Sequence, residues 1–529
     1  MKNNKYAPPV NSGKIKQSDH VMAVKIKTES NGLGALKTLA VVGLIVIQAV
    51  VLILSFIYFL TPFQWYFVLS LVLTLISCIH VLSSDFHGQA KATWVLFLLV
   101  CFSFGFFIYL ISNKQVLFAK SKQKYSKIFS NSQKILPQSD LAELTSQDKA
   151  ICNYLYNTGG FRANINNSKT TYYSSGYQFY DAVLDEIKKA KKFIFFEFFI
   201  ISDGVLLNRL LKVLKQKASE GVDVRIIYDD MGSHSTLSEK TKKQISSSGI
   251  KLLAFNRLVP LFNIALNLRN QRKIVVVDGL VSFTGGTNLA DEYVNEKRMH
   301  GYWKDTGIKI EGPATDNLTL SVLHQWEFLT GKTQDYSQFL NLAKQVKIAG
   351  MVVPFVSGPN YDFSIAQNMY ANQIGNSHEK LWIMTPYFIP DETIMNLIIN
   401  RARAGVDVRI VLPEVADKKF VYFVSRNNAE KLIKYGVKVY TMTHSFVHAK
   451  VVLNETSAIV GSINFDLRSF NQQFESAVFT TEEQTRKSVA LDFENTFERS
   501  IEVIDKNKKR NSVLYRIIAG TFNIISPFM

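Results

Sequence analysis

The string His448-Ala-Lys450 places a histidine and a lysine two positions apart, with an acidic residue following at Glu455. Residues at i and i+2 of a strand project from one face. An imidazole beside a fixed positive charge suits phosphoryl transfer, because the imidazole can attack phosphorus or donate a proton while the ammonium holds the non-bridging oxygens. Ser462 and Asn464 follow with matching parity and could donate hydrogen bonds to the same phosphate. The alternative for the histidine–lysine pair alone is an unremarkable surface position.

A related string occurs earlier in the chain as Gln271-Arg-Lys273, followed by Asp278 and a glycine pair leading into Thr287 and Asn288. Its first position is glutamine, whose amide is neither a useful nucleophile nor a proton-transfer group near neutral pH. Gln271 can still donate a hydrogen bond to phosphate. The earlier string therefore predicts phosphate binding and leaves proton transfer in doubt.

An internal repeat explains why two such strings occur in one chain. The sequence GVDVRI is present at 221–226 and again at 405–410, each time after a predicted helix, and the apolar runs 192–201 and 380–390 each predict a buried strand. A unit of about 160–180 residues with alternating strands and helices has been duplicated. Two such halves can pack about a pseudo-two-fold axis and place equivalent residues across one cleft.

The two strings resemble the paired His-x-Lys-x4-Asp motifs of the phospholipase D superfamily, over about residues 165–505. Further strings resemble the bacterial cardiolipin synthases, namely Glu197 in its strand, 228–233, 303–306, 385–391, 464–471 and the pair Phe474-Glu475. The resemblance implies an α/β fold of two duplicated phospholipase D-like α/β/α sandwich domains, preceded by N-terminal transmembrane helices.

The resemblance also implies a two-step transfer without a metal or cofactor. One histidine attacks the phosphodiester of phosphatidylglycerol, glycerol leaves, and a second phosphatidylglycerol takes the phosphatidyl group to give cardiolipin. The other histidine protonates the leaving alkoxide and then deprotonates the acceptor. Glu475 resembles the family's acidic residue that orients a catalytic imidazole. Catalytic residues are thus expected at His448, Lys450, Glu455, Lys273, Asp278, Gln271 and Glu475, and phosphate-binding residues at Asn288, Thr287, Ser462 and Asn464.

Gln271 in place of histidine leaves three interpretations open: a natural relative with lost or redirected activity, an engineered silencing of an active enzyme, or slow transfer by His448 alone. Nothing in its spacing supports His300 as a substitute. A non-catalytic phospholipid-binding protein or scaffold is the alternative function. A phosphodiesterase acting on nucleic acid would fit the basic charge, but the apolar segments argue against it and no nucleic-acid partner is expected.

The N-terminal region predicts a multi-pass protein of the bacterial cell membrane. The net charge of +18 favours a polyanionic partner such as an anionic phospholipid surface. Three apolar stretches, at about 39–60, 65–82 and 92–111, are long enough to suggest two to three crossings. Basic clusters on both sides of these stretches leave the orientation open. The three cysteines offer no disulfide framework.

These patterns divide the chain into six segments. They are a basic tail at 1–37, a membrane anchor at 38–112, a connector at 113–160, phospholipase D-like domains at 161–345 and 346–505, and an amphipathic C-terminal tail at 506–529. The tail has helical apolar spacing behind a basic lead-in, which is typical of an interfacial helix or of a helix packed on the catalytic core.

Overall fold

A computed structural model describes residues 64–84, 88–112, 115–132, 135–257 and 268–504, with isolated residues between 46 and 54. The chain divides into two compact units, one reaching Val116 and the other beginning at Leu117. The basic tail, most of the first apolar stretch and the C-terminal tail lie outside the described residues.

The described residues from 64 to 112 form three apolar helices of the first unit, α1 (Gln64–Ser83), α2 (Gly88–Val100) and α3 (Phe102–Ser112). Within the described ranges, one segment, Trp65–Ser83, is long and apolar enough to cross a membrane. The expected span at 92–111 is instead divided at Cys101. A Cβ at Gly105 would lie 3.2 Å from the Leu98 backbone, so the glycine permits this close turn. Three crossings are therefore not supported by the described helices.

The connector contains α4 (Gln115–Ser132) and α5 (Ser146–Gly159), both of which belong mainly or wholly to the second unit. Tyr125 of α4 is buried, and its ring lies 6.3 Å from that of His324 and 6.5 Å from that of Tyr361. The connector is therefore an integral part of the second unit's core.

The described residues of the first half form the strands β1 (Asn164–Ile165), β2 (Lys169–Tyr173), β3 (Phe193–Phe198), β4 (Asp223–Asp229), β5 (Lys251–Phe255), β6 (Arg269–Asn270), β7 (Lys273–Val277), β8 (Val281–Gly285), β9 (Tyr302–Lys304) and β10 (Gly307–Glu311). Seven of these strands make one sheet, with the order β2-β10-β8-β7-β3-β4-β5. The helices of this half are α6 (Gly176–Lys189), α7 (Val205–Ser219), α8 (Asp230–Ser233), α9 (Glu239–Ser246) and α10 (Thr315–Thr330).

The second half contains the strands β11 (Met351–Ser357), β12 (Lys380–Met384), β13 (Phe388–Ile389), β14 (Asp407–Pro413), β15 (Lys438–Met442), β16 (Ser445–Val447), β17 (Val451–Asn454), β18 (Ala458–Gly461), β19 (Phe465–Asp466), β20 (Gln473–Thr480) and β21 (Ser500–Glu502). Eight of these strands, together with β1 of the first half, make a larger sheet with the order β1-β11-β20-β18-β17-β12-β14-β15-β21. The helices of this half are α11 (Ile365–Gly375), α12 (Glu392–Arg403), α13 (Lys419–Ile433), α14 (Leu467–Asn471) and α15 (Glu483–Glu498).

Seven strands follow the same order in each sheet, as the predicted duplication requires. The sequence β2-β10-β8-β7-β3-β4-β5 corresponds strand for strand to β11-β20-β18-β17-β12-β14-β15. In both halves the strand carrying the repeated GVDVRI string, β4 or β14, pairs parallel with the strand before it. The predicted mixed architecture of strands and helices is therefore observed in each half.

Burial on both sheet faces accounts for the continuous apolar runs. Along β3, Phe193 and Phe195 enter one apolar cluster, while Ile194 and Phe196 enter the other, on the face covered by α6 and α7. Residues 315–327 of α10 are buried throughout, and this helix packs against strands of both sheets. The larger apolar cluster is consequently shared by the two halves.

Short strands also join the halves directly. β1 pairs with β11, β6 pairs with β20, and β9 pairs with β16. These pairings place the segments that lead into Gln271 and His448 against the opposite half. The boundary expected near residue 345 therefore separates two repeats that are interlocked.

Candidate active site

The histidine–lysine segment of the second half spans the gap between β16 and β17. The backbone N–H groups of His448 and Ala449 donate to the carbonyl oxygen of Lys304, over 2.7 and 3.1 Å. Lys304 ends β9 of the first half, so the opposite half fixes this segment. A Cβ at Gly286 would lie 2.1 Å from Oδ1 of Asp305 and 3.1 Å from the His448 carbonyl oxygen. Because Gly286 has no side chain, the Asp305 carboxylate and the His448 carbonyl group can lie close to its backbone.

Asp305 provides the carboxylate that contacts the His448 imidazole. Oδ2 of Asp305 lies 2.7 Å from Nδ1 of His448, and Asp305 is buried. Nζ of Lys450 lies 2.8 Å from the same ring nitrogen and also donates to the His448 carbonyl oxygen. Because a carboxylate oxygen accepts, we assign the Nδ1 proton to the bond with Asp305, and Lys450 then donates to the His448 carbonyl oxygen. The Nε2 lone pair then faces away from both partners.

Three aromatic rings surround the imidazole. Ring centroids of Tyr293, Trp303 and Phe446 lie 5.3, 5.5 and 5.8 Å from that of His448, whose side chain is 12% exposed. This burial, reinforced by the Lys450 charge and opposed by Asp305, lowers the pKa of His448 to about 4. A neutral imidazole is the form needed for nucleophilic attack.

Lys450 is itself buried, and its burial lowers the pKa of the ammonium to about 7. Asp305 acts in the opposite direction and favours the charged form, whereas the neighbouring charge of Lys273 lowers the pKa further. The two lysines of the motifs therefore lie close enough to repel each other. An anionic phosphate between them would relieve this repulsion.

Gln271 and Lys273 occupy the equivalent positions in the first half. The Gln271 N–H donates to the Phe474 carbonyl oxygen over 2.8 Å, which extends the pairing of β6 with β20. Nζ of Lys273 donates to the Gln271 carbonyl oxygen over 2.6 Å and to its Oε1 over 3.2 Å. The glutamine side chain thus lies against the motif lysine.

Glu475 lies on the Lys273 side of the site rather than at His448. Its buried carboxylate accepts a hydrogen bond from Ser462 Oγ over 2.5 Å. Burial raises the pKa of Glu475, while the adjacent Lys273 charge lowers it. The acidic residue that contacts the only motif histidine is Asp305, whose role the sequence did not reveal. Asp305 occurs in the quoted 303–306 string, but 143 residues separate it from His448.

Asp278 and Glu455 follow the ends of β7 and β17, away from the imidazole, and their carboxylates bind the backbone amides that lead into β3 and β12. Asp278 accepts hydrogen bonds from the N–H groups of Lys191, Lys192 and Phe193 over 2.7 to 2.9 Å. Glu455 accepts the equivalent bonds from residues 378–380, over 2.8 to 3.4 Å. These bonds favour a structural role for both residues, and their expected catalytic role stays a prediction.

The second motif has glutamate at position 455 where the first motif has Asp278, and the two turns differ in a way that accounts for this. Val277 pairs with Val281 across a three-residue turn, whereas the Asn454 N–H donates to the Ser457 carbonyl oxygen across a two-residue turn. The extra methylene of Glu455 lets its carboxylate reach the same amide groups from a shorter turn.

Replacing Asp278 with alanine is expected to reduce stability by about 3 kcal/mol, because three buried N–H groups lose a charged acceptor. Glu455→Ala is the matched comparison and should cost less, since two of its bonds are 3.3 and 3.4 Å long. Denaturant unfolding of the purified variants measures both changes. Loss of turnover at unchanged stability would instead assign Asp278 to the chemistry.

Among the remaining predicted phosphate ligands, Asn288 and Asn464 have internal hydrogen-bond partners. Asn288 accepts a hydrogen bond from the Ile200 N–H over 3.2 Å and donates one to the Tyr293 hydroxyl over 2.6 Å. The second bond positions the Tyr293 ring, which packs beside His448. Asn464 donates to Ser469 Oγ over 3.2 Å. Thr287 is fully buried. Phosphate binding by these residues and by Ser462 stays a prediction.

The site thus combines a neutral imidazole, an orienting carboxylate and two buried ammonium groups, a set suited to attack on a phosphodiester. No group of three or more histidine, cysteine, aspartate or glutamate residues that could hold a metal ion occurs in the described ranges.

Comparison with known proteins identifies the family. A family model described as cardiolipin synthase, PLD-like domain, matches residues 183–301 and 370–501. Cardiolipin synthase 2 of Bacillus anthracis is 31% identical over 468 residues, which cover 86% of this chain and 90% of that protein. The chain belongs to the cardiolipin synthase family of the phospholipase D superfamily. Its function is accordingly cardiolipin synthase-like, within the phosphatidyltransferases of phospholipid biosynthesis.

The chain is also similar to two further proteins. An uncharacterized protein of Streptococcus mutans is 33% identical over 463 residues, covering 86% of this chain and 99% of the relative. The crystal structure of a phosphatidylserine synthase from Haemophilus influenzae matches with a TM-score of 0.55 and 12% identity, over 73% of this chain and 100% of that one. The latter comparison supports the fold.

Proposed function

We propose that the protein transfers a phosphatidyl group between two phosphatidylglycerol molecules, releasing glycerol and forming cardiolipin, with His448 as the nucleophile. The observation that carries this proposal is the hydrogen bond between His448 Nδ1 and Asp305, which leaves Nε2 without a proton in a site that also contains two buried lysines. Attack by Nε2 on phosphorus would form a phosphatidyl-histidine, and the acceptor hydroxyl would then displace the imidazole.

Lys450 and Lys273 would stabilise the non-bridging oxygens during both steps, because each ammonium is removed from water and lies near the cluster. The net charge of +18 and the crossing-length helix Trp65–Ser83 support a substrate within the anionic bacterial cell membrane. Gln271 is proposed to reduce turnover, since its amide cannot transfer a proton.

A second candidate function rests on the same glutamine. A phospholipid-binding protein without turnover would keep the two lysines and the surrounding hydrogen bonds while lacking one of two acid–base groups. Such a protein would bind anionic phospholipid and form no product.

The deciding experiment places the purified full-length chain in phosphatidylglycerol vesicles and measures cardiolipin and free glycerol over time. Equal amounts of the two products are expected. Glycerol without cardiolipin would show that water, rather than a lipid, is the acceptor, and absence of both products would overturn the proposal in favour of the binding protein.

A further inference from the structure

Lys273 has a position that its expected role in holding phosphate does not explain fully. Its ammonium is bonded to the side chain and the carbonyl oxygen of Gln271, the residue that replaces the family histidine, and lies 5.8 Å from the centroid of the Phe199 ring. The Lys273 side chain is almost entirely buried. Its amine is therefore held beside the position from which an imidazole would act.

The geometry of displacement at phosphorus defines where a proton is needed. The attacking and leaving atoms lie roughly in line, so the leaving oxygen of a phosphodiester attacked by His448 points away from that residue. Lys450 already contacts His448 on the attacking side. On the facing half, the motif presents Gln271 and Lys273, and the Gln271 amide cannot donate a proton to an alkoxide near neutral pH.

The charges around Lys273 are compatible with proton transfer. Burial lowers the pKa of its ammonium, whereas Glu475, Asp305 and Asp229 favour the charged form. Burial also raises the pKa of Glu475. A buried lysine with a lowered pKa can both release and recover a proton near neutral pH, which arginine cannot do.

We propose that Lys273 is the acid–base residue on the leaving-group side, acting in place of the missing histidine. In the first step His448 Nε2 bonds to phosphorus, the bond from phosphorus to the glycerol oxygen breaks, and the Lys273 ammonium gives its proton to that oxygen. In the second step the Lys273 amine takes the proton of the acceptor hydroxyl, whose oxygen bonds to phosphorus as the phosphorus–nitrogen bond breaks. Glu475 is a positioning residue that acts through Lys273. This inference rests on the proposed transferase function.

The test compares Lys273→Arg in two backgrounds, using the full-length protein in phosphatidylglycerol vesicles. Arginine keeps the charge but not the proton transfer, so we expect cardiolipin formation to fall about 10²-fold in the unmodified background. In the Gln271→His background the restored imidazole should limit the loss from Lys273→Arg to less than about 10-fold. Lys450→Arg is the matched comparison, and Gln271→His should not repair its defect.

A second substrate separates proton transfer from folding or charge. With phosphatidyl-p-nitrophenol the leaving group departs as a stable phenolate without protonation, so Lys273→Arg should retain the burst of nitrophenolate that accompanies attack by His448. Equal losses of cardiolipin in both backgrounds, or loss of the burst, would overturn the role of Lys273. An unimpaired Lys273→Arg variant would overturn it too, while leaving the proposed transferase intact. Absence of product from the unmodified protein would overturn both proposals.

Discussion

Replacing His448 with asparagine is expected to reduce cardiolipin formation by more than about 10³-fold, because the variant lacks the atom that attacks phosphorus. Asparagine approximates the size of the imidazole and keeps a polar group facing Asp305, so the surrounding ring cluster should be retained. Initial rates of cardiolipin and glycerol release in phosphatidylglycerol vesicles measure the effect.

His300→Asn is the matched control for that substitution. His300 packs against the same two rings, Trp303 at 6.2 Å and Phe446 at 5.9 Å, on which His448 also rests. We expect the control to keep its activity, because the hydrogen bond of His448 to Asp305 is unaltered. An undiminished rate in His448→Asn, or a comparable loss in His300→Asn, would contradict the assignment of the nucleophile.

Gln271→His is expected to raise the turnover of the protein by about 10²-fold, near the lower end of the usual contribution of general acid–base catalysis. The new imidazole would lie on the Lys273 side of the site, which already contains the buried carboxylate of Glu475. Asp305 is the corresponding carboxylate for His448. The pH optimum should also move to a lower value, because an imidazole then acts as the acid–base group in place of the proposed Lys273. Rates measured across pH in phosphatidylglycerol vesicles provide both results.

Gln271→Asn is the control for this gain, since it retains an amide and adds no titratable group. It should show no increase in rate. A Gln271→His variant that is no faster than the unmodified protein would show that position 271 does not limit turnover.

The sequence predicted the duplicated α/β fold because that information is local and repeated. Two copies of GVDVRI and two continuous apolar runs indicate the same strand order in each half, and the sheets have it. The strands β6, β9 and β16 could not be foreseen, since segments of two or three residues have no periodicity and pair with partners far away in the chain. The predicted span at 92–111 is divided at Cys101, where the hydropathy of the run contains no sign of a break.

The site was predictable to the extent that its residues are neighbours in sequence. Lys450 follows His448 by two positions, and the two side chains do meet. Asp305 is brought to His448 only by the pairing of β9 with β16, so its role depends on tertiary structure. Asp278 was assigned to catalysis because it belongs to the motif, although its carboxylate binds backbone amides at the opposite end of β7.

The acidic residues of the site cross between the halves, and this limits how the chain can be divided. Asp305 lies in the half that carries Gln271, yet its carboxylate contacts the histidine of the other half. A fragment limited to residues 346–505 would keep His448 and Lys450 but would lack both that carboxylate and the Lys304 carbonyl oxygen that holds the histidine segment. Neither half is therefore expected to act as an independent unit.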